Sequence, residues 1–306
     1  MQYSSTSIKN FPLVSIAFHI GTEKNILLYE NLIKSFLVCN RYPKIELILI
    51  ESGGSQKIRK WISDIDFDDY FIDADGRETT IKKHDLTSIK KVHLFVDGND
   101  SSNKDWNSIN RLVMGAINES ILKSTGEYYV CLHEDNQFTV KGDLISDFID
   151  VVNLCGSSNT QLHFFSQQGY KYAKKNNEFF ISKNAHEKAP YQIKEMKYCP
   201  FSFTGKRFYE NIGLIQILKE DISHQPIERM TLKCRSTSCK RYYPVIPGGV
   251  WIANDDIAKV IEIIKNKRKE NVDYIAMEIF EKENLMQIAE RLRHPFSSEF
   301  FMNRFN

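Results

Sequence analysis

Between residues 13 and 154 the chain alternates short apolar runs with longer segments that carry an apolar stripe at helical spacing. This pattern constrains the fold more than any other feature of the sequence. Residues 13–18 (LVSIAF) and 45–50 (IELILI) each read as a buried strand, 92–96 (VHLFV) as another strand, and 128–132 (YYVCL) as a strand ending in polar residues. Between them, residues 25–38 repeat apolar side chains at Ile26, Leu27, Leu28, Leu32, Ile33, Phe36 and Leu37, a helical stripe. Residues 106–122 and 144–154 read as further helices. Ser55, after the Gly53–Gly54 turn, is placed to cap a helix through Trp61 and Ile62. Strands separated by helices imply a mostly parallel sheet with helices on both faces, an α/β fold.

In such a sheet ligands bind beyond the carboxyl ends of the strands. The ends expected here carry His19, then Glu51 to Gly54, then Asp97 to Asp100, then His133 to Asn136. Polar and acidic groups thus gather where the architecture places a ligand. After about residue 156 the pattern weakens. Residues 161–166 are expected as a strand, 170–182 as a hairpin, and 221–241 as polar and irregular. Pro244, Pro247, Gly248 and Gly249 are expected in a loop, and residues 255–268 and 278–292 as amphipathic helices. The division expected is 1–156 for a ligand-binding α/β half and 157–306 for a second half of the same domain.

The charge balance narrows the partners. Lys and Arg number 41 against 39 Asp and Glu, a net charge of +2, which gives no reason to expect nucleic acid. The only close cysteine pair, Cys234 and Cys239, is not a C-x-x-C motif and has no second pair to complete a zinc site. Reduced thiols in a cytosol are expected. No signal peptide is expected at residues 1–18, and no window reaches about 18 apolar residues. Near the end, Phe296, Phe300, Phe301 and Phe305 alternate with Arg291, Arg293, His294 and Arg304. This tail either packs on its own domain or makes peripheral contact with a membrane face.

The segment 124–136 (STGEYYVCLHEDN) is the most informative for chemistry. Its strand delivers imidazole and carboxylate groups into a loop. Hard divalent cations prefer oxygen ligands, and Mn²⁺ also accepts imidazole. Such a cation neutralises a diphosphate leaving group. The plainer reading is a charged loop after a strand.

Three stretches resemble a known family. Pro12 to Ala17, then Ser35 to Leu37 with Tyr42 to Ser55, then Asn118 with Ser124, Gly126, Glu127 and the run to Asn136, are similar in order and spacing to family 2 glycosyltransferases of the GT-A fold. The resemblance implies an α/β GT-A domain that moves a sugar from a nucleotide-diphosphate sugar to an acceptor hydroxyl with inversion. It implies donor binding at His19, Gly21, Glu51, Ser52, Gly53, Asn118 and Glu134. It implies Mn²⁺ or Mg²⁺ at Asp135 with His133 assisting. Residues 204–213 resemble the family's helix before an acidic pair, here Glu220 and Asp221, with Asp221 as general base. Arg229, Lys233, Arg235, Lys240 and Arg241 are candidates for donor phosphates or an anionic acceptor, or are solvated loop charges. His224 and His294 are weaker candidates as extra metal or phosphate ligands. A saccharide or lipid-linked saccharide acceptor, a role in bacterial surface polysaccharide or glycolipid assembly, and a cytoplasmic location at the inner membrane face follow from the resemblance.

The sequence departs from the family's pattern at several points. His133 stands where the first acid of the D-x-D motif is usual, and Asn136 where an acid is usual. Glu51 and Ser52 replace two acids. Two other readings stay open: a non-catalytic nucleotide-sugar-binding module on the same fold, and a sugar-phosphate nucleotidyltransferase. Residues 18–22 (FHIGT) hold too few glycines for the second.

Overall fold

The computed structural model describes residues 11–21, 25–39, 42, 44–51, 55–64, 87–93, 106–138, 144–163, 170–175, 178–181, 191–192, 197–243, 249–252, 258, 261–262 and 265–266. Along the chain these form β1 (Val14–Ile20), α1 (Ile26–Cys39), β2 (Ile45–Glu51), α2 (Gln56–Asp64), β3 (Thr87–His93), α3 (Trp106–Lys123), β4 (Tyr128–Leu132), β5 (Asn136–Phe138) and α4 (Leu144–Cys155). There follow β6 (Thr160–His163), β7 (Tyr170–Lys175), β8 (Glu178–Ile181), β9 (Tyr191–Gln192), β10 (Ser202–Gly205), α5 (Lys206–Ile212), α6 (Gln225–Ser236), β11 (Lys240–Tyr243) and β12 (Gly249–Ile252).

The main sheet has the order β3-β2-β1-β4-β10-β6-β11-β9, and a smaller sheet the order β5-β12-β7-β8. The first four strands of the main sheet are mutually parallel. β10 is antiparallel to both β4 and β6, and β9 is antiparallel to β11. Six of the eight strands therefore run one way, as a mostly parallel sheet requires, and β10 and β9 are reversed. Its antiparallel members come from residues after 156, so the two halves expected from sequence share one sheet.

Every residue of β1 and of β2 is buried, as their largely apolar runs predict for strands covered on both faces. Successive side chains alternate between two cores. Val14, Ile16, Phe18, Leu47, Leu49 and Val130 pack under Tyr29, Leu32 and Phe36 of α1, Ile58 and Ile62 of α2, and Phe148 and Val152 of α4. Ala17, Ile48, Ile50, Tyr129 and Cys131 face Ile117 of α3, Phe208 and Ile212 of α5, and Met230 and Cys234 of α6. Each fully buried Ile, Leu or Phe contributes roughly 1.5–3 kcal/mol.

One buried acid fastens the strands' amino edge. Glu46 is 1% exposed and accepts from Ser15 Oγ at 2.6 Å, Thr125 N at 2.9 Å and Thr125 Oγ1 at 2.7 Å. Ser15 Oγ also accepts the Gly126 N–H at 2.9 Å. With these donors in place the buried carboxylate is satisfied.

Three expectations need correction or narrowing. Residues 221–241 are not irregular: α6 fills most of them, with Pro226, Met230 and Cys234 buried at four-residue spacing. A proline, a methionine and a thiol make an apolar stripe that reads as polar beside its many charges. Gly249 opens β12 and is not a loop residue. The strand expected at 92–96 begins at Thr87 and includes Val92 and His93, while 94–96 lie outside the described residues. The helix at 278–292, most of that at 255–268 and the aromatic tail also lie outside them. Among the described residues no helix is long and apolar enough to cross a membrane.

Candidate functional site at the carboxyl edge

β1 lies between β2 and β4, and all three run the same way. Glu51 stands level with Ile20, and Leu132 level with Phe18. The turn after β2 and the turn after β4 therefore leave the same edge of the sheet, two strand spacings or about 10 Å apart. The site expected from sequence required this juxtaposition. Ser52 and Gly53, which complete the first turn, lie outside the described residues.

The turn after β4 is built around His133, Glu134 and Asp135. It closes with an Asn136 N–H to His133 carbonyl hydrogen bond of 2.9 Å and returns as β5. The imidazole sits between two carboxylates: Nε2 is 3.0 Å from Glu134 and Nδ1 is 3.2 Å from Asp135. Both are ion-pair distances, attractive only when the ring carries its proton. Burial alone lowers the His133 pKa, but Glu134 and Asp135 outweigh it and hold the pKa well above the usual histidine value. The ring edge also rests against Phe201, with centroids 5.2 Å apart.

Glu134 is buried and accepts three hydrogen bonds. Asn25 Nδ2 donates at 2.9 Å, the Tyr29 hydroxyl at 2.8 Å, and His133 Nε2 completes the set. Burial pushes its pKa up. The His133 charge and these donors overcome that and bring it down to about 2. Burial and the adjacent carboxylate raise the Tyr29 pKa, so the phenol keeps its proton and donates. The Gly21 N–H reaches the same hydroxyl at 3.3 Å. Strand β1's exit, α1 and the turn after β4 are thus one hydrogen-bonded unit.

His19, at the end of β1, is 3% exposed. Burial first, then the charge of His133, lowers its pKa to about 4 against the opposing pull of Glu134. Two neighbouring histidines consequently carry different charges at neutral pH. Gly21 is close above the first: a Cβ there would come within 3.1 Å of His19 Cε1.

The other expected site residues have partners of their own. Glu51 is fully buried and accepts from Ser55 N at 3.2 Å and Arg59 Nε at 3.0 Å, which ties it to the start of α2. Ser55 Oγ in turn accepts the Ile58 N–H at 3.2 Å, the cap expected from sequence. Asn118 does not reach the carboxyl edge. It sits about 18 Å along α3, which runs back toward the amino edge. Its amide exchanges two hydrogen bonds with the backbone of Ile215, at 2.8 and 2.9 Å.

Asp221 is 2% exposed and clamped by Arg229. Arg229 Nη1 donates to Oδ1 at 2.6 Å, Nη2 binds Oδ2, and the Leu218 N–H donates to Oδ2 at 2.6 Å. Arg229 is therefore not a solvated loop charge, since it closes a bidentate pair. An acceptor hydroxyl would have to compete with these three donors for Asp221. Glu220 beside it is exposed, as are Lys233, Arg235 and Lys240. Arg241 is buried and donates to the Lys197 carbonyl at 3.2 Å. His224 stands exposed just before α6. One short segment links this region to the turn after β4. Its Phe201 touches His133, and its Tyr198 N–H donates to Thr231 of α6 at 3.0 Å.

The fit for Mn²⁺ or Mg²⁺ is poor in this arrangement. The His133 ring occupies the space between the two carboxylates that a cation would share. Among the described residues no group of three His, Cys, Asp or Glu side chains is arranged to hold a metal ion.

Asn25, Tyr29 and Phe201 were not expected from sequence. The first two fall inside an apolar helical stripe and look there like ordinary core. A polar pair one turn apart at the start of α1 was the available signal.

No family model matches the chain, and no curated protein matches it. Solved structures of TarS from S. aureus are similar at the level of chain trace. The TarS 1–349 crystal structure shares 8% identity at a TM-score of 0.49, over 82% of this chain and 64% of that one. The TarS crystal structure shares 9% at 0.48, over 94% of this chain and 44% of that one. TarS 1–349 in complex with UDP shares 11% at 0.48, over 94% and 73%. The chain thus spans less than two thirds of the length of the first two. At this identity and similarity no residue role passes from those proteins to this chain.

Proposed function

We propose that the chain is a glycosyltransferase that binds a nucleotide-diphosphate sugar along the carboxyl edge of β1, β2 and β4. One observation carries this reading: parallel strands bring His19, Gly21, Glu51 and the His133–Asp135 turn to a single edge, and hydrogen bonds through Tyr29 tie the Gly21 exit to Glu134 of that turn. An edge of this kind is where open α/β sheets take nucleotides. The resemblance of residues 12–136 to family 2 glycosyltransferases supports the same assignment.

In this proposal the base lies toward Glu51 and the diphosphate toward His133. The imidazolium offers the described turn's own positive charge to that diphosphate, and Gly21 keeps the strand exit narrow and close to the ligand. With Glu134 and Asp135 ionised the turn keeps a net negative charge. A divalent cation at Asp135 would offset it only after displacing the His133 proton and ring. Asp221 is assigned to the acceptor side, and acts as a base only if Arg229 releases it. The acceptor is taken to be a saccharide hydroxyl.

A second reading is favoured by two specific observations, the Arg229 clamp on Asp221 and the His133 ring between the carboxylates. It is a module on the same fold that binds nucleotide-sugar without transferring it. A thermal-shift panel of nucleoside diphosphates and their sugar conjugates, with and without Mn²⁺, tests both readings. Binding to the folded state raises the melting temperature by mass action. A selective rise that is lost in His133→Ala supports the site. A rise accompanied by donor hydrolysis supports the enzyme, and one without it the binding module. No rise with any nucleotide overturns both.

A further inference from the structure

The carboxyl end of α6 closes in a Schellman motif. The Cys239 N–H bonds the Cys234 carbonyl at 2.8 Å, and inside that ring the Ser238 N–H bonds the Arg235 carbonyl at 3.2 Å. Ser238 takes the left-handed conformation that this motif needs, with a φ of 56°. The motif normally brings the side chains three positions before and two after the helix end into apolar contact. Here both of those side chains are cysteines. Cys234 is fully buried and Cys239 is 6% exposed, and both belong to the same buried cluster.

We propose that Cys234 and Cys239 are a thiol–disulfide pair, a modification site that staples the end of α6 when a small-molecule disulfide oxidises it. This inference is independent of the assignment of the carboxyl edge. Cys239 is the entry sulfur, because it is the more exposed of the two. The neighbouring Cys234 thiol lowers its pKa, burial opposes, and Thr237 Oγ1 at 3.2 Å assists, so its thiolate is favoured over that of Cys234. The thiolate is the nucleophile in exchange.

Cys239 thiolate attacks one sulfur of oxidised glutathione, a mixed disulfide forms, and one glutathione thiolate leaves. Cys234 then gives its proton to that thiolate or to water and attacks the Cys239 sulfur. The second glutathione leaves as thiolate. Two electrons pass from the protein to the glutathione disulfide, and the protein loses two hydrogens. The staple closes a short loop that already has its native turn, so it constrains the unfolded chain.

The test uses the full chain in oxidised glutathione under native conditions, with remaining thiols alkylated before digestion. Trypsin cleaves after Arg235 and separates the two cysteines, so a linked peptide reports the bond directly. The expected result is a Cys234–Cys239 linkage, with a melting temperature a few degrees above that of the reduced chain. That rise should vanish in Cys239→Ala, and in Cys234→Ala if that variant folds. Mapping the wild type decides the matter even where a variant does not fold. Glutathione retained on Cys155 or Cys199 while Cys234 and Cys239 stay reduced overturns the proposal, as does a bond from either one to a different cysteine.

Discussion

Tyr29 and Glu134, more than a hundred residues apart, meet through a 2.8 Å hydrogen bond in which the phenol donates to the carboxylate. The phenol oxygen also accepts the Gly21 N–H, so one hydroxyl joins the exit of β1 to the turn after β4. Tyr29→Phe leaves both the carboxylate and the amide short of a partner. The expected cost is about 1–3 kcal/mol, read as a lower urea midpoint at unchanged slope. An unchanged midpoint would show that the turn is held by other contacts.

Stability should peak near neutral pH, for three reasons of definite sign. His19 has a depressed folded pKa, so the unfolded chain binds its proton first and stability falls from about pH 6.5 down toward about 4. The full shift corresponds to roughly 3 kcal/mol. Glu134, also depressed, adds a further loss as pH falls from about 4.5 toward about 2. His133 has a raised folded pKa, so its contribution is complete below about 6.5 and is lost as pH rises through the folded value. Denaturant midpoints measured from pH 4 to 9 check this. His19→Asn should flatten the acid limb between 4 and 6.5, and His133→Asn should flatten the alkaline limb.

Gly126 admits no side chain. A Cβ there would lie 2.7 Å from the Leu13 carbonyl oxygen, the Ser15 nitrogen and Ser15 Oγ. Two of those atoms are backbone, at and just before a fully buried strand, so neither yields cheaply. Gly126→Ala should destabilise by about 2–3 kcal/mol or more and lower the melting temperature. Gly115, where a methyl group would meet nothing within 4 Å, is the control, and Gly115→Ala should be neutral or stabilising.

Asp221→Ala strands the Leu218 N–H and the Arg229 guanidinium. Because the Arg229 side chain is 29% exposed, water takes up part of the loss, and about 2 kcal/mol is expected. Glu220→Ala, at an exposed neighbour, should stay within about 0.5 kcal/mol. A double-mutant cycle with Arg229→Ala should return a coupling of about 1 kcal/mol or more. If Asp221→Ala abolished sugar transfer while leaving stability intact, the carboxylate would belong to the chemistry and not to the clamp.

Much of the first half was legible because its signals are local. Largely apolar runs such as 45–50 call for burial on both faces, and the stripe from Ile26 to Leu37 calls for a helix. Ser55 declared its cap through its position alone. Where the second half misled, the signals were non-local or diluted. The antiparallel entry of β10 beside β4 depends on a pairing between residues about seventy-five apart, for which the four residues Ser202–Gly205 carry no mark of direction. The helix α6 hid its apolar face in three buried residues set among polar ones.

The sequence by itself determined that the chain would bury parallel strands and crowd polar groups at their carboxyl ends, because strand and helix periodicities are properties of neighbouring residues. Only the tertiary structure decided how those groups would be spent. Glu51 turns to Arg59, Asp221 to Arg229, Asn118 to Ile215, and His133 settles between Glu134 and Asp135. A buried charge or amide must find a partner, and which partner stands about 3 Å from it is fixed by packing across the chain, not by spacing along it.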